Sequence, residues 1–168
     1  MEKLLYPLWK APTLSGDEFR DELLLQLAPK LTGIEGVHGL RICVVDSAVS
    51  EAAGRSIESH APVPDAMLSL WVDFAGAAGH WEPLIDAHVS TKTVYLVAEA
   101  EPLVSQQTHP SMPGERLYGM CQVVFMSPPD DMDRDEWLST WKDSHTQVAI
   151  DTQSTFGYRQ NLVVRRLS

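Results

Sequence analysis

Apolar residues alternate with polar ones in some stretches of the chain and recur every three or four positions in others, and the change of period marks out its elements. Lys3 to Trp9 reads as a first strand, followed by SGDEFRDELLLQLAPKL, an apolar-periodic helix that opens with Ser15 and Glu18 at the spacing of a capping box. That helix is expected to stop near Pro29 to Gly33. A second strand lies around Leu40 to Val45 in GVHGLRICVVD, and Ser47 to Pro64 reads as a long polar loop. DAMLSLWVDF resumes a strand, GHWEPLIDAHV is a short helix with His80 and Trp81 as cap or surface residues, and KTVYLVAEAEPLV is a further strand. The order β-α-β-β-α-β is the signature of a ferredoxin-like unit, an antiparallel sheet with both helices on one face.

After the Pro-rich connector QQTHPSMPGE the opening pattern returns: LYGMCQVVFM as a strand, a helix from about Arg134, and FGYRQNLVVRRL as a strand. Aligning the two helices pairs Ser15 with Asp133, Glu18 with Glu136, Phe19 with Trp137, Leu23 with Trp141 and Leu27 with His145, while Gly36 and Gly157 each precede the next strand. The expected organisation is α+β: a full ferredoxin-like unit over residues 1–105, a connector over 106–116, and a partial β-α-β unit over 117–168. A further helix and strand would be needed after Leu167 to complete the second unit.

In the second helix, Trp137, Trp141, His145 and Val148 fall within an arc of roughly 80°, so the His145 imidazole is expected to point inward. A lone histidine on an apolar face is ordinarily a core residue bonded to a carbonyl. Here the matching position of the first helix is Leu27, so packing alone does not call for imidazole. Its desolvation, at about 1–3 kcal/mol, asks for a hydrogen bond, a solvated cavity or a ligand. On the following strand Tyr158, Gln160 and Leu162 share one face; Tyr158 and Gln160 are the candidates to orient the imidazole or a substrate oxygen.

A chain of 168 residues, 44% hydrophobic, is long enough for one domain or two small units sharing a core. Its formal charge of −10 argues against nucleic acid or anionic membrane as the main partner. Cys43 and Cys121 stand far apart in apolar runs, which reads as two reduced packing thiols, each on a strand, and fits the cytoplasm. The opening MEKLLYPLWKAP is too short and too early broken by Pro7 for a signal peptide, and no run approaches the roughly 20 apolar residues of a membrane span. A soluble cytoplasmic protein is expected.

Other motifs fail on inspection. Asp131, Asp133 and Asp135 begin like a calcium loop, but Glu136 and Lys142 occupy its sixth and twelfth positions, so the acids are assigned to the helix N-terminus. His38, His60, His80, His88 and His109 contain no pair at the i, i+4 spacing of a helical metal site. Ser139 and Lys142 form Ser-x-x-Lys without its companion motifs, and no glycine-rich nucleotide loop is present.

The helix with Trp137, Trp141 and His145, followed by the strand Gly157-Tyr158-Arg159-Gln160-Asn161-Leu162-Val163, resembles the EthD-domain family of dimeric α/β-barrel proteins. The resemblance covers Tyr118 to Leu167 most clearly. It implies ferredoxin-like units whose sheets pair into a barrel, a pocket between sheet and helices, small and often cyclic or aromatic substrates, and no obligatory cofactor. The expected function is a cofactor-independent lyase or isomerase acting on a small oxygenated ring by dehydration, decarboxylation or tautomerisation. In it His145 serves as general acid or base and Trp137 and Trp141 form an apolar wall. The alternative is a non-catalytic small-molecule-binding or pathway accessory protein using the same pocket. Haem held by His145 is set aside because nothing nearby reads as a haem pocket. No metal or cofactor is expected; a homodimer is, because two such units leave sheet faces to be covered.

Overall fold

The computed structural model describes residues 1–55 and 62–168, so His60 and most of the second half of the expected long loop lie outside the described residues. The chain is α+β. Its strands are β1 (Glu2–Trp9), β2 (Val37–Val44), β3 (Ala66–Val72), β4 (Thr91–Lys92), β5 (Tyr95–Leu103) and β6 (Tyr158–Arg166). They form one sheet in the order β2-β3-β1-β5-β6, with the short β4 also paired to β1. Two compact units are distinguished, residues 1–98 with 162–168, and residues 99–161.

In the first unit β3 lies between β1 and β2 and pairs antiparallel with both, Leu4 facing Leu70 on one side and Leu40 facing Leu70 on the other. β1 and β2 therefore run the same way without touching, which is a split β-α-β arrangement compatible with a ferredoxin-like plan. Alternation makes the core. Leu4, Tyr6 and Leu8 of β1 and Leu68, Leu70 and Val72 of β3 point to the same face and are fully buried there. Against them pack Phe19, Leu23, Leu27 and Leu31 of the first helix and Trp81 and Ile85 of the second. Each such leucine contributes about 1.5–3 kcal/mol by leaving water.

The first helix starts as its sequence requires. Ser15 accepts from the Glu18 N–H while the Glu18 carboxylate accepts from the Ser15 N–H, closing the capping box. Gly16 sits where any Cβ would press on the Val45 carbonyl, so the helix start approaches the end of β2 closely because it lacks a side chain. The helix then has three parts: α1 (Gly16–Glu22), a wide π turn (Leu23–Leu27) and α2 (Ala28–Thr32). The helix ends within the expected Pro29 to Gly33 span, with Gly33 as its C-cap, and Pro29 sits in the first turn of α2. Widening the turn before it, with the Ala28 N–H reaching back to the Leu23 carbonyl, lets the chain carry a residue that lacks an N–H and crowds the preceding turn.

The polar passage after β2 is not wholly irregular, since Ser47–Arg55 forms 3₁₀ turns. The second helix is shorter than its sequence span: a 3₁₀ segment (Ala75–His80) leads into α3 (Glu82–Asp86). Trp81, expected as a cap or surface residue, is the cap of α3 but is buried, and its indole N–H donates to the Tyr6 hydroxyl at 2.8 Å. Tyr6 in turn donates to Glu82 at 3.1 Å, and the other Glu82 oxygen meets Lys92 at 2.6 Å. Burial pushes the Tyr6 phenol far above its ordinary range, and the Glu82 carboxylate beside it adds to the effect. Burial works against the Lys92 ammonium, yet bonds from Asp86 and Glu82 outweigh it and raise its pKa.

The second unit contains α4 (Arg134–Thr140), a π turn (Trp141–His145) and α5 (Thr146–Thr152). Its three parts match those of the first helix at the very offset that pairs Ser15 with Asp133. Asp133 caps α4, its carboxylate accepting from the Asp135 N–H. The strand expected over Leu117 to Met126 does not form: these residues join no ladder, and Val124 and Phe125 are about 60% exposed. The physical reason lies in the split arrangement. In the first unit β1 is held by β3, which stands between it and β2. If Leu117–Met126 is the counterpart of β1 and β6 that of β2, the strand that would stand between them is not among the described residues. Hence the partial second unit has a helix and a strand, but not the first strand expected of it. Cys121 is consequently exposed and off any strand, a correction to its expected packing role, whereas Cys43 lies half-buried on β2.

Candidate functional site

The residues singled out in the second unit meet on one side of its helix, with one exception. Trp137 and Trp141 are half-buried and stacked, their ring centroids 5.3 Å apart and planes inclined by 25°. Gln160 is 3% exposed and turns toward the same helix, where its amide donates to the Trp141 carbonyl at 3.2 Å and to the Thr146 hydroxyl at 2.6 Å. The Thr146 hydroxyl itself donates to the Trp141 carbonyl at 2.7 Å. Tyr158, two residues before Gln160, is half-buried and belongs to the same strand face. Arg159 points to the other face and pairs with Glu99 and Glu101 at 2.9 and 2.8 Å.

His145 is the exception. The expectation that its imidazole points inward is corrected: His145 and Val148 are exposed, and Thr146 and Ala149 are buried in their place. The π turn alone does not decide this, because the first helix has the same turn and keeps Leu27 buried; in the second unit Gln160 of β6 holds the Thr146 hydroxyl, and Thr146 and Ala149 take the buried positions. A regular helix would offer the Trp141 carbonyl to the His145 N–H. Here that carbonyl is engaged by Thr146 and Gln160, a side-chain intrusion of the kind that distorts helical ladders.

One polar atom in this arrangement is unsatisfied. The Trp141 indole nitrogen is buried and has no hydrogen-bond partner among the described residues. A buried donor in that condition costs about 1–3 kcal/mol, and the cost is recovered when an acceptor arrives. The second unit thus places two half-buried, stacked indoles beside an unmet buried donor.

Sequence reasoning passed over two features of this unit. Thr146 belongs to the buried network although a regular helix would turn it outward. His109 stacks on Tyr118 with centroids 4.2 Å apart and lies 4.7 Å from Phe156, joining three segments distant in sequence. Nothing in the local spacing of either residue signals the contact.

Among the described residues no group of three or more histidine, cysteine, aspartate or glutamate side chains is placed to hold a metal ion. No helix among them is long and apolar enough to cross a membrane. No protein-family model matches the chain, and no curated protein matches it.

Proposed function

We propose that this protein binds a small, planar, oxygenated cyclic or aromatic molecule on the Trp137–Trp141 platform, as a ligand-binding or pathway accessory protein. The observation that carries the reading is the buried, unpartnered Trp141 indole N–H beside a stacked tryptophan. Gln160 and Thr146 hold the carbonyl of the same residue and so fix where the indole points. The resemblance of the Trp137 to Val163 region to the EthD-domain family supports the same ligand class, and with it a ferredoxin-like dimeric α/β-barrel assembly. A homodimer would cover the apolar side chains now exposed at Val123, Val124 and Phe125. Titration of intrinsic tryptophan fluorescence with hydroxylated and keto-substituted rings tests this proposal. Saturable quenching that disappears in Trp141→Ala supports it, and an unresponsive spectrum across the series refutes it.

Cofactor-free lyase or isomerase chemistry at His145 is the second reading. What favours it is the resemblance to the EthD-domain family carried by Trp137, Trp141 and His145, since the π turn itself recurs among core leucines in the first helix. In this reading the exposed imidazole exchanges protons with a ring held by the tryptophans, and a general acid or base of this kind contributes about 10²–10⁴ in rate. Turnover of any ring compound that the platform binds, lost in His145→Ala while binding persists, separates the two readings.

A further inference from the structure

The first unit contains a cleft of about 170 Å³ that the platform does not use. It lies where the chain enters β2 and leaves β3, at the end of this strand pair away from their connection, and is lined by Glu35, Gly36, Val72, Asp73, Phe74, Ala77, His80 and Trp81. We propose that this cleft binds a small organic ammonium ion.

Its walls are fixed. The Asp73 N–H donates to the Gly36 carbonyl at 2.9 Å, and His38 Nε2 donates to Asp73 Oδ1 at 2.6 Å. The second carboxylate oxygen, Oδ2, is directed toward Gly36, where a Cβ would stand 3.2 Å from it. Gly36 has φ +84°, a conformation that suits glycine and leaves this side of the cleft without a side chain. Across from it the Phe74 ring lies directly over Gly76, where any Cβ would collide with it, while the Phe74 side chain remains largely exposed. Trp81 is anchored through its indole N–H to Tyr6.

The charge and the walls together select the ligand. Glu35 and Asp73 bring two carboxylates to the lining, with His80 beside them and His38 bonded to Asp73; among the described residues no lysine or arginine lines it, and the whole chain carries −10. Aromatic side chains beside carboxylates favour organic cations, whose charge is attracted by both and whose methyl or methylene groups replace water against the rings. A volume close to the roughly 150 Å³ that accommodates benzene suits a head group of that size rather than a nucleotide or a drug-sized ring.

Choline and its uncharged isostere 3,3-dimethylbutan-1-ol provide the test, followed by ¹H–¹⁵N correlation spectra of the full chain. The inference expects saturable shifts with choline at Gly36, Asp73, Phe74 and the Trp81 indole, in about the millimolar range typical of a small open site. It expects the neutral isostere to bind at least about tenfold more weakly, and Asp73→Asn to weaken choline by a similar factor. Asp73 is exposed, so the variant should fold; Glu35→Gln, also at an exposed residue, is the second variant and should reduce affinity in the same direction. Equal shifts from choline and the isostere, no saturable response, or full affinity in both variants would each overturn the inference.

Discussion

The Gln160 amide donates to the Thr146 hydroxyl at 2.6 Å, and the Thr146 hydroxyl in turn donates a hydrogen bond to the Trp141 carbonyl at 2.7 Å. This relay joins β6 to the π turn and replaces the bond that a regular helix would make there. Thr146→Val keeps the shape but removes both donor and acceptor, leaving the buried Gln160 amide without one of its partners. Chemical denaturation should show a loss of about 1–3 kcal/mol. Combining it with Gln160→Leu should cost less than the two single changes added together, because they disable one network.

Trp141→Phe preserves an aromatic ring while deleting the orphaned donor. Stability measured by urea unfolding should hold or rise by about 1 kcal/mol, since a buried unsatisfied N–H disappears. Affinity for any oxygenated ring that binds the platform should fall about tenfold, the worth of one hydrogen bond to a desolvated donor. A variant that loses stability and keeps affinity would contradict the assignment of the indole N–H to ligand recognition.

His145→Leu replaces an exposed side chain with the residue found at the matching position of the first helix. Its effect on unfolding free energy should remain within about 0.5 kcal/mol, because no burial is gained or lost at that site. Ring binding should persist; if catalysis occurs at His145, turnover alone disappears. Calorimetric melting of the variant beside a binding titration distinguishes these outcomes.

Tyr6 gives the fold an alkaline limit. Its pKa is raised in the folded chain, so the phenol stays neutral there when an unfolded chain would already ionise. The stabilisation is therefore complete below the ordinary tyrosine value of about 10 and declines as pH rises beyond it, with a slope of up to about 1.4 kcal/mol per unit. The raised pKa of Lys92 acts in the same direction. Tyr6→Phe should flatten the part of this slope due to the phenol and, at neutral pH, cost about 1–3 kcal/mol by leaving the Trp81 N–H without its acceptor. Unfolding curves at pH 7 and in strongly alkaline buffer check both effects.

A dimer is expected in solution if the exposed apolar run from Tyr118 to Met126 is an assembly surface. Sedimentation velocity should then give twice the chain mass at micromolar concentration, and replacing Val124 and Phe125 with serine should shift the population toward monomer. A monodisperse monomer before any substitution would rule out the assembly.

What the sequence by itself determined was whatever depends on local period and local chemistry. Alternation placed Leu4, Tyr6 and Leu8 on one face of β1, Ser15 and Glu18 set the first helix start, and Asp133 set the second. The offset between the two helices, read from those caps, also paired their three parts, although the π turn within each appears only in the structure. What the tertiary structure decided were the outcomes that require a partner distant in the chain. Leu117 to Met126 has the composition of a strand, but a strand exists only where another offers its hydrogen bonds. His145 has the spacing of an inward residue, but Gln160 of β6 bonds the Thr146 hydroxyl, and Thr146 and Ala149 are buried while the imidazole is exposed. The sequence reads Trp81 as a cap or surface residue; it does cap α3, but it is buried, with its indole bonded to the Tyr6 hydroxyl 75 positions away. In each case a regular period assumes that every backbone bond is local, and the fold departs from it where a side chain from another element makes a competing bond.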